Sequence, residues 1–317
     1  MADMNYEQML KELKQHTQHQ FDTVLKKIDN LRWEQVMQEY ADVDIHGIIG
    51  PVPANKTARN PQNKENPLIF NVYTFMPKGL DKTKKHPMLV YIHGGVHANF
   101  NSSDNHLIRE MVQEGYIVVS PDYRGSTGYG EEFWKLIDYG ALEVEDTFAA
   151  RNWAVETFDF IDPNRIGILG WSHGGLHTLM NIFFHPESYK AAFAGVPVSD
   201  LVARMGYKGE QYHNLFAADY HIGKYAWEDP AEYRRRSPAW HADKLETPLL
   251  IYTNTADEDV NVLEVEHLIK SLKAAEKDFE YRIFENAPGG HAFDRIDTPM
   301  AVNARKDIWA FLAKHLK

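Results

Sequence analysis

A serine flanked by glycines stands between an apolar run and a helical pattern near the middle of the chain. Residues 165–175 read RIGILGWSHGG, in which Arg165–Leu169 predicts a buried strand and Leu176–Phe184 predicts a helix. A Gly-x-Ser-x-Gly motif at a strand-to-helix turn holds its serine in a strained conformation with the hydroxyl clear of the sheet. The first N–H groups of the following helix then face the space above that hydroxyl. The segment predicts a tight turn that presents Ser172 as a nucleophile.

Strands and helices alternate along most of the chain. Val43–Val52 and Leu68–Met76 predict an antiparallel hairpin, separated by the polar stretch Pro53–Pro67. Continuous apolar strands that alternate with helices are typical of a mostly parallel sheet with helices on both faces. We expect one catalytic domain over residues 43–317. Its further strands are Met88–Ile92, Tyr116–Ser120, Ala191–Val196, Pro248–Tyr252 and Phe279–Glu285, and its further helices Leu107–Glu114, Leu142–Phe158, Val262–Ala275 and Asp297–His315.

The N-terminal region, residues 1–42, predicts a helical extension. Apolar residues recur at three- and four-residue spacing in a helical pattern over residues 5–40: Phe21, Val24, Leu25, Ile28 and Leu31, continued by Trp33, Val36, Met37 and Tyr40. We expect this stripe to pack on the chain's own domain. The alternatives are a homodimerisation arm and a lid over the active site.

A segment between two predicted strands shows no clear helical or strand periodicity of its apolar residues. Residues 201–240 are rich in tyrosine, histidine and charge. A segment of this kind lies above the carboxyl edge of the sheet, where ligands bind. We expect it to shape the pocket.

Ser172 needs a base and an acid to orient that base. His291 follows the last predicted strand, in a loop that opens at the same sheet edge as Ser172. The acid is expected in the loop after Pro248–Tyr252, which gives the chain order Ser, Asp, His. Asp257 is the preferred candidate and Asp259 the alternative.

Two backbone N–H groups are expected to form an oxyanion hole, which stabilises the transition state of acyl transfer. One belongs to His173, directly after the nucleophile, and the other to Gly95, with Gly94 as the alternative. We assign His93, Trp171 and Tyr207 to substrate binding. The pairs His93/His97 and His173/His177 have no nearby carboxylate ligand pattern, so we expect neither a metal nor another cofactor.

Composition excludes several other classes of function. The chain has 317 residues and a net charge of −11, which argues against nucleic acids as partners. It has no cysteine, so disulfides and a thiol nucleophile are excluded. No signal peptide pattern is visible, and no apolar run approaches the roughly 18 residues that cross a bilayer. We expect a soluble protein, cytoplasmic as the sequence stands, or secreted or periplasmic if a signal peptide has been removed.

Several motifs resemble the catalytic domain of the prolyl oligopeptidase family of serine hydrolases. They are His93–Gly95, the PDYRGSTGYG run at 121–130, Gly170–Gly175, Ser237-Pro238, the acid loop and Gly290-His291. The resemblance covers the chain from about Met88 and implies an α/β-hydrolase fold with Ser172, Asp257 and His291 as its triad. The roughly 90 residues before it are too few for the β-propeller of long members, and the acid loop departs from the family pattern at Tyr252–Asn254 and Val260-Asn261.

The resemblance leaves the substrate open. No clear acidic pair that could bind a peptide's free N-terminus is apparent, so we expect carboxylesterase activity on small acyl esters. The alternative is a prolyl oligopeptidase-type serine peptidase acting on short peptides. An alternative from a different class of function is a binding module that has the same fold and no catalytic activity.

Overall fold

Eight strands form one sheet in the computed structural model, which describes residues 6–51 and 68–317. The sheet order is β1-β2-β4-β3-β5-β6-β7-β8, in which β1, β2 and β4 pair antiparallel and all the other pairs are parallel. This confirms the predicted α/β-hydrolase fold. The strands are β1 Ala41–Ile49, β2 Ile69–Pro77, β3 His86–Ile92, β4 Ile117–Pro121, β5 Ile161–Trp171, β6 Ala191–Gly195, β7 Leu249–Asn254 and β8 Glu280–Phe284.

Ten α-helices accompany the sheet within the described residues. They are α1 Tyr6–Met37, α2 Asn105–Gln113, α3 Glu131–Trp134, α4 Leu142–Thr157, α5 His173–Phe184, α6 Leu201–Tyr207, α7 Glu210–Phe216, α8 Pro230–Arg235, α9 Val262–Ala274 and α10 Pro299–Leu316. None of the described helices is both long enough and apolar enough to cross a bilayer.

Among residues 6–51 and 68–317, two apolar cores cover the two faces of the sheet. Successive strand residues alternate between the faces, so Val90 and Ile92 enter one core while Leu89 and Tyr91 enter the other. The first core packs under α4, α5 and α9, and the second packs under α2, α10 and the end of α1. Helices therefore cover both faces, which the continuous apolar strands predicted.

The predicted hairpin is present, with β1 and β2 paired antiparallel from Ala41↔Pro77 to Ile49↔Ile69. Its polar connection over residues 53–67 lies outside the described residues. Helix α5 begins at His173, three residues earlier than expected, because the glycines after the serine already adopt helical geometry. The short helix α3 was not predicted.

The N-terminal helix packs on the chain's own domain as expected, but only the second part of the predicted stripe makes this contact: Trp33 and Met37 are buried, and Val36 and Tyr40 pack against the same core. The first part of the stripe faces solvent instead. Phe21, Val24, Leu25, Ile28 and Leu31 are all exposed, with 79% of Leu31 accessible. The helix is one continuous element, and the face that contacts the domain buries Lys26, Trp33 and Met37. Lys26, on this face, forms a buried ion pair with Asp122 at 2.7 Å.

Candidate active site

The turn between β5 and α5 holds Ser172 in a strained conformation. Ser172 has φ 59° and ψ −119°, a left-handed backbone that non-glycine residues rarely adopt. The neighbouring glycines are required by close packing, since a Cβ on Gly170 would lie 2.6 Å from the Gly174 backbone and one on Gly174 2.3 Å from the Ile92 carbonyl. The sequence motif therefore has the geometry that it predicted.

His291 and Asp257 are joined by a hydrogen bond at this edge of the sheet. The Nδ1 of His291 lies 2.7 Å from Oδ2 of Asp257. Because an ionised carboxylate only accepts hydrogen bonds, the imidazole carries its proton on Nδ1 and leaves Nε2 free to accept another. The other oxygen, Oδ1 of Asp257, accepts the backbone N–H groups of Asp259 and Val260 at 2.8 and 2.9 Å.

Asn254 connects the loop of the acid to the loop of the histidine. Its side-chain amide donates to the carbonyls of Ala287 and Gly290, both at 2.9 Å. Its Oδ1 accepts the N–H groups of Ala256 and Ala287. This buried residue was not predicted as functional. The only sequence signal was its position in the part of the acid loop, Tyr252–Asn254, that departs from the family pattern.

Asp259, the alternative acid, lies on the other side of the imidazole. Its Oδ2 is 3.7 Å from Nε2 of His291, and the side chain is 50% exposed. Lys208 and Arg204 hold its Oδ1 at 2.7 and 3.3 Å. The hydrogen bond to Nδ1 belongs to Asp257, so the geometry favours Asp257 as the orienting acid.

One expected oxyanion donor, His173, directly follows Ser172 in the chain, and the loop that carries the other lies beside the serine. His173 is the first residue of α5, so its N–H has no acceptor within the helix. A Cβ on Gly94 would lie 3.4 Å from the Cβ of Ser172, which places the Gly94-Gly95 loop directly beside the nucleophile. Gly95 has φ 65°, a conformation that favours glycine.

Two of the three residues assigned to substrate binding are buried. Trp171 is 1% exposed, and its indole N–H donates to Asp294 at 2.8 Å in the core on the far side of the sheet. His93 is 2% exposed and stacks on Tyr123 with ring centroids 4.2 Å apart. Trp171 lies in the core on the face of the sheet away from α5, and His93 is engaged with Tyr123. Their assignment to substrate binding stays a prediction.

Tyr207 is partly accessible, but its hydroxyl is occupied. It donates to Glu264 and accepts hydrogen bonds from Arg204 at 3.0 Å and the Asn261 N–H at 3.2 Å. Arg204 also contacts Asp259. Tyr207 therefore belongs to a buried polar cluster that supports the acid loop.

Aromatic and histidine side chains of residues 201–240 pack on Tyr139, which in turn packs on His173, the residue after the nucleophile. Phe216 lies 4.5 Å from Tyr139, and Tyr139 lies 4.5 Å from His173, measured between ring centroids. His221 packs on Phe216 at 4.7 Å. Burial lowers the pKa of His173 to about 3 and that of His221 well below its usual value, so both rings are neutral at pH 7.

Glu143, His173 and His177 form a buried group that could hold a cation. Their ligand atoms lie within 4.8 Å of one another, and Nε2 of His173 is 3.5 Å from Oε1 of Glu143. Neither nitrogen of His173 has a hydrogen-bond partner among the described residues. Burial raises the pKa of Glu143 to about 8, which opposes the ionised form that a metal ligand requires. The sequence did not indicate Glu143, which lies 30 residues before His173 on another helix.

The sheet order, the strained serine turn and the histidine–aspartate pair define an α/β hydrolase. The sequence pattern of the prolyl oligopeptidase family matches residues 102–317. The chain is 30% identical over 237 residues to "Uncharacterized peptidase YuxL" of Bacillus subtilis, which covers 74% of this chain and 35% of that protein. It is 29% identical to the acylamino-acid-releasing enzyme of Arabidopsis thaliana, over 78% of this chain and 33% of that enzyme. The chain belongs to the prolyl oligopeptidase family of serine hydrolases.

Solved structures show the same fold. An acylaminoacyl peptidase in complex with Z-Gly-Gly-Phe-chloromethyl ketone superimposes with a TM-score of 0.74 at 20% identity, over 88% of this chain and 42% of that chain. A puromycin-hydrolyzing peptidase of Mycobacterium tuberculosis superimposes with a TM-score of 0.71 at 25% identity, over 87% of this chain and 39% of that chain. The chain spans about a third of the length of the curated relatives it matches.

Proposed function

We propose that this chain is a serine peptidase that cleaves amide bonds through an acyl-enzyme on Ser172. The observation that carries the proposal is the 2.7 Å hydrogen bond between His291 and Asp257 at the edge of the sheet where the strained Ser172 turn lies. Family membership supports it, since the relatives bear the names of peptidases. These names favour the peptidase alternative over the carboxylesterase activity that we expected from sequence.

The proposed reaction begins with attack of the Ser172 hydroxyl on the substrate carbonyl. Nε2 of His291 takes the proton, and the charge of Asp257 stabilises the imidazolium that forms. The N–H groups of His173 and of the Gly94-Gly95 loop stabilise the oxyanion. His291 then protonates the leaving amine, and water hydrolyses the acyl-enzyme by the same steps.

Rates on matched substrates test the proposal. The test uses three substrates that carry the same amino-acid side chain. They are an N-acetylated amino acid p-nitroanilide, the same anilide with a free amine, and the corresponding ester. We expect hydrolysis of at least one anilide, with kcat lowered by about 1,000-fold or more in Ser172→Ala. Ser271→Ala, on helix α9, is the control for an unrelated serine and should retain full activity.

Two outcomes would overturn the proposal. Hydrolysis of the ester without either anilide would restore the carboxylesterase interpretation. Anilide hydrolysis that persists unchanged in Ser172→Ala would move the chemistry to another residue.

A further inference from the structure

Helix α1 contacts the domain through polar residues along its middle and through Trp33 and Met37 at its end, while most of its large apolar residues face solvent. Four of the inward contacts are polar or mixed: Lys26 pairs with Asp122, Asp29 accepts from Ser102, Asn30 accepts from the Tyr73 hydroxyl, and His19 packs on Trp134. The apolar contacts come from Trp33, which stacks on Phe100, and from Met37. At 100° per residue the exposed apolar residues lie on the opposite side of the helix. Soluble surface helices normally show the reverse orientation.

The outward stripe has the spacing of a helix–helix seam. It runs through Leu10, Leu13, Thr17, Phe21, Val24, Ile28 and Leu31. The average spacing between successive positions of the stripe is 3.5 residues, since six intervals span 21 residues. A hydrophobic repeat of 3.5 residues keeps one stripe facing a partner helix along its whole length. The hydroxyl of Thr17 donates to the Leu13 carbonyl, so the threonine has no unsatisfied hydroxyl to oppose burial.

The stripe is also compatible with its own reversed copy. About the midpoint between residues 20 and 21, Leu10 corresponds to Leu31, Leu13 to Ile28 and Thr17 to Val24, while Phe21 lies next to the centre. A two-fold interface requires this self-complementarity, since residue i meets residue j and residue j meets residue i. An antiparallel pair of α1 helices therefore matches Leu10 with Leu31 and Leu13 with Ile28, and sets Thr17 against Val24. It also brings the two copies of Phe21 together near the axis.

The exposed apolar surface of α1 is of the size that each partner contributes to a stable dimer. Nine large apolar side chains of α1 are exposed: Tyr6, Met9, Leu10, Leu13, Phe21, Val24, Leu25, Ile28 and Leu31. At on the order of 100 Å² each they offer at most roughly 900 Å², close to the ~800 Å² that each partner contributes to a standard interface. The net charge of −11 disfavours anionic membranes as the alternative occupant.

We propose that the chain forms a two-fold homodimer through antiparallel pairing of helix α1 with the α1 helix of a second copy. Phe21 lies at the symmetry axis, and the two ends of the stripe pair with each other. The proposal concerns assembly and does not depend on the proposed peptidase activity.

Molar mass in solution tests the assembly. Light scattering after size exclusion is expected to give the mass of a dimer for the full chain at micromolar concentration. Val24→Glu combined with Ile28→Glu should weaken association by at least about 100-fold, since both charges would be buried in the seam. Leu263→Glu, a comparably exposed leucine on α9, is the control and should remain dimeric. Circular dichroism verifies that each variant keeps its helices.

Single cysteines test the register, because the native chain contains none. Phe21→Cys should form an intermolecular disulfide under mild oxidation, since the two copies meet at the axis. Leu10→Cys alone should not, because the two copies of position 10 lie about 31 Å apart and a disulfide needs Cα atoms within about 7 Å. Leu10→Cys with Leu31→Cys should cross-link efficiently.

Three results would overturn the proposal. The first is a monomer at every concentration, including one that binds lipid vesicles through this helix. The second is a dimer whose mass is unaffected by the two glutamates. The third is cross-linking of Leu10→Cys alone as readily as Phe21→Cys, which would indicate parallel pairing.

Discussion

Asp257→Asn should inactivate the protein although the amide is nearly isosteric with the carboxylate. Oδ1 of Asp257 accepts two backbone N–H groups, from Asp259 and Val260, while Oδ2 accepts from His291. An asparagine must therefore place its oxygen on the two backbone donors and point its NH₂ group at the imidazole. Nδ1 then becomes an acceptor, the ring proton moves to Nε2, and the base can no longer take the proton of Ser172.

The expected loss in kcat is about 10,000-fold, the scale of a triad with its histidine in the wrong tautomer. This corresponds to about 5.4 kcal/mol of transition-state stabilisation at 1.36 kcal/mol per tenfold change. Asp259→Asn is the matched control, and we expect a change below about 10-fold because its half-exposed side chain contacts Nε2 only at 3.7 Å.

Steady-state rates on the best anilide measure both variants, and thermal unfolding verifies that each is folded. Equal losses in the two variants, or a larger loss in Asp259→Asn, would refute the assignment of the acid. Retention of more than about 1% activity in Asp257→Asn would refute the argument from tautomers.

Three further predictions concern stability and positioning. Lys26→Met should lower the free energy of unfolding by about 3–5 kcal/mol in urea titrations, because it leaves the buried carboxylate of Asp122 unpaired. The control Lys27→Met, at an exposed position, should lower it by under about 0.5 kcal/mol. Similar losses in both variants would contradict a stabilising role of the Lys26–Asp122 ion pair. Burial lowers the pKa of His177, so it takes up a proton only on unfolding and stability should fall as pH drops below about 6.5. In His177→Gln that slope should be shallower by up to about 1.4 kcal/mol per pH unit, and an unchanged slope would show that His177 is protonated in the folded state. Asn254→Ala should lower kcat about 10- to 100-fold and leave KM nearly unchanged, because Asn254 positions the loop of His291 and does not face the substrate. A rise in KM with no change in kcat would instead indicate that Asn254 binds substrate.

Local chemistry explains which parts of the site the sequence could predict. Ser172 requires glycines on both sides because the strand and the helix pass within contact distance there. The residues that this packing requires are next to the serine in sequence, so the motif alone indicated the turn. The acid and the base follow predicted strands whose ends meet at one edge of a parallel sheet. Their order along the chain therefore indicated that Asp257 and His291 would lie near each other.

Features that depend on pairing across the fold could not be predicted. Asn254 acts through backbone groups of a loop more than 30 residues away, and Glu143 approaches His173 from another helix. On the inner face of α1, Lys26 forms a buried ion pair with Asp122, and the spacing of apolar residues did not indicate this contact. Burial of Trp171 and His93 depends on the face of the sheet that each side chain reaches, and the motifs alone did not indicate this.

Covalent labelling by a fluorophosphonate tests the central claim most directly, since the reagent reacts with an activated serine. Peptide mass spectrometry should find one adduct per chain, on Ser172, and no adduct in Ser172→Ala. Labelling should be strongly slowed in His291→Ala, which keeps the serine but removes its base. An adduct on a different serine, or none on the folded native chain, would contradict the account.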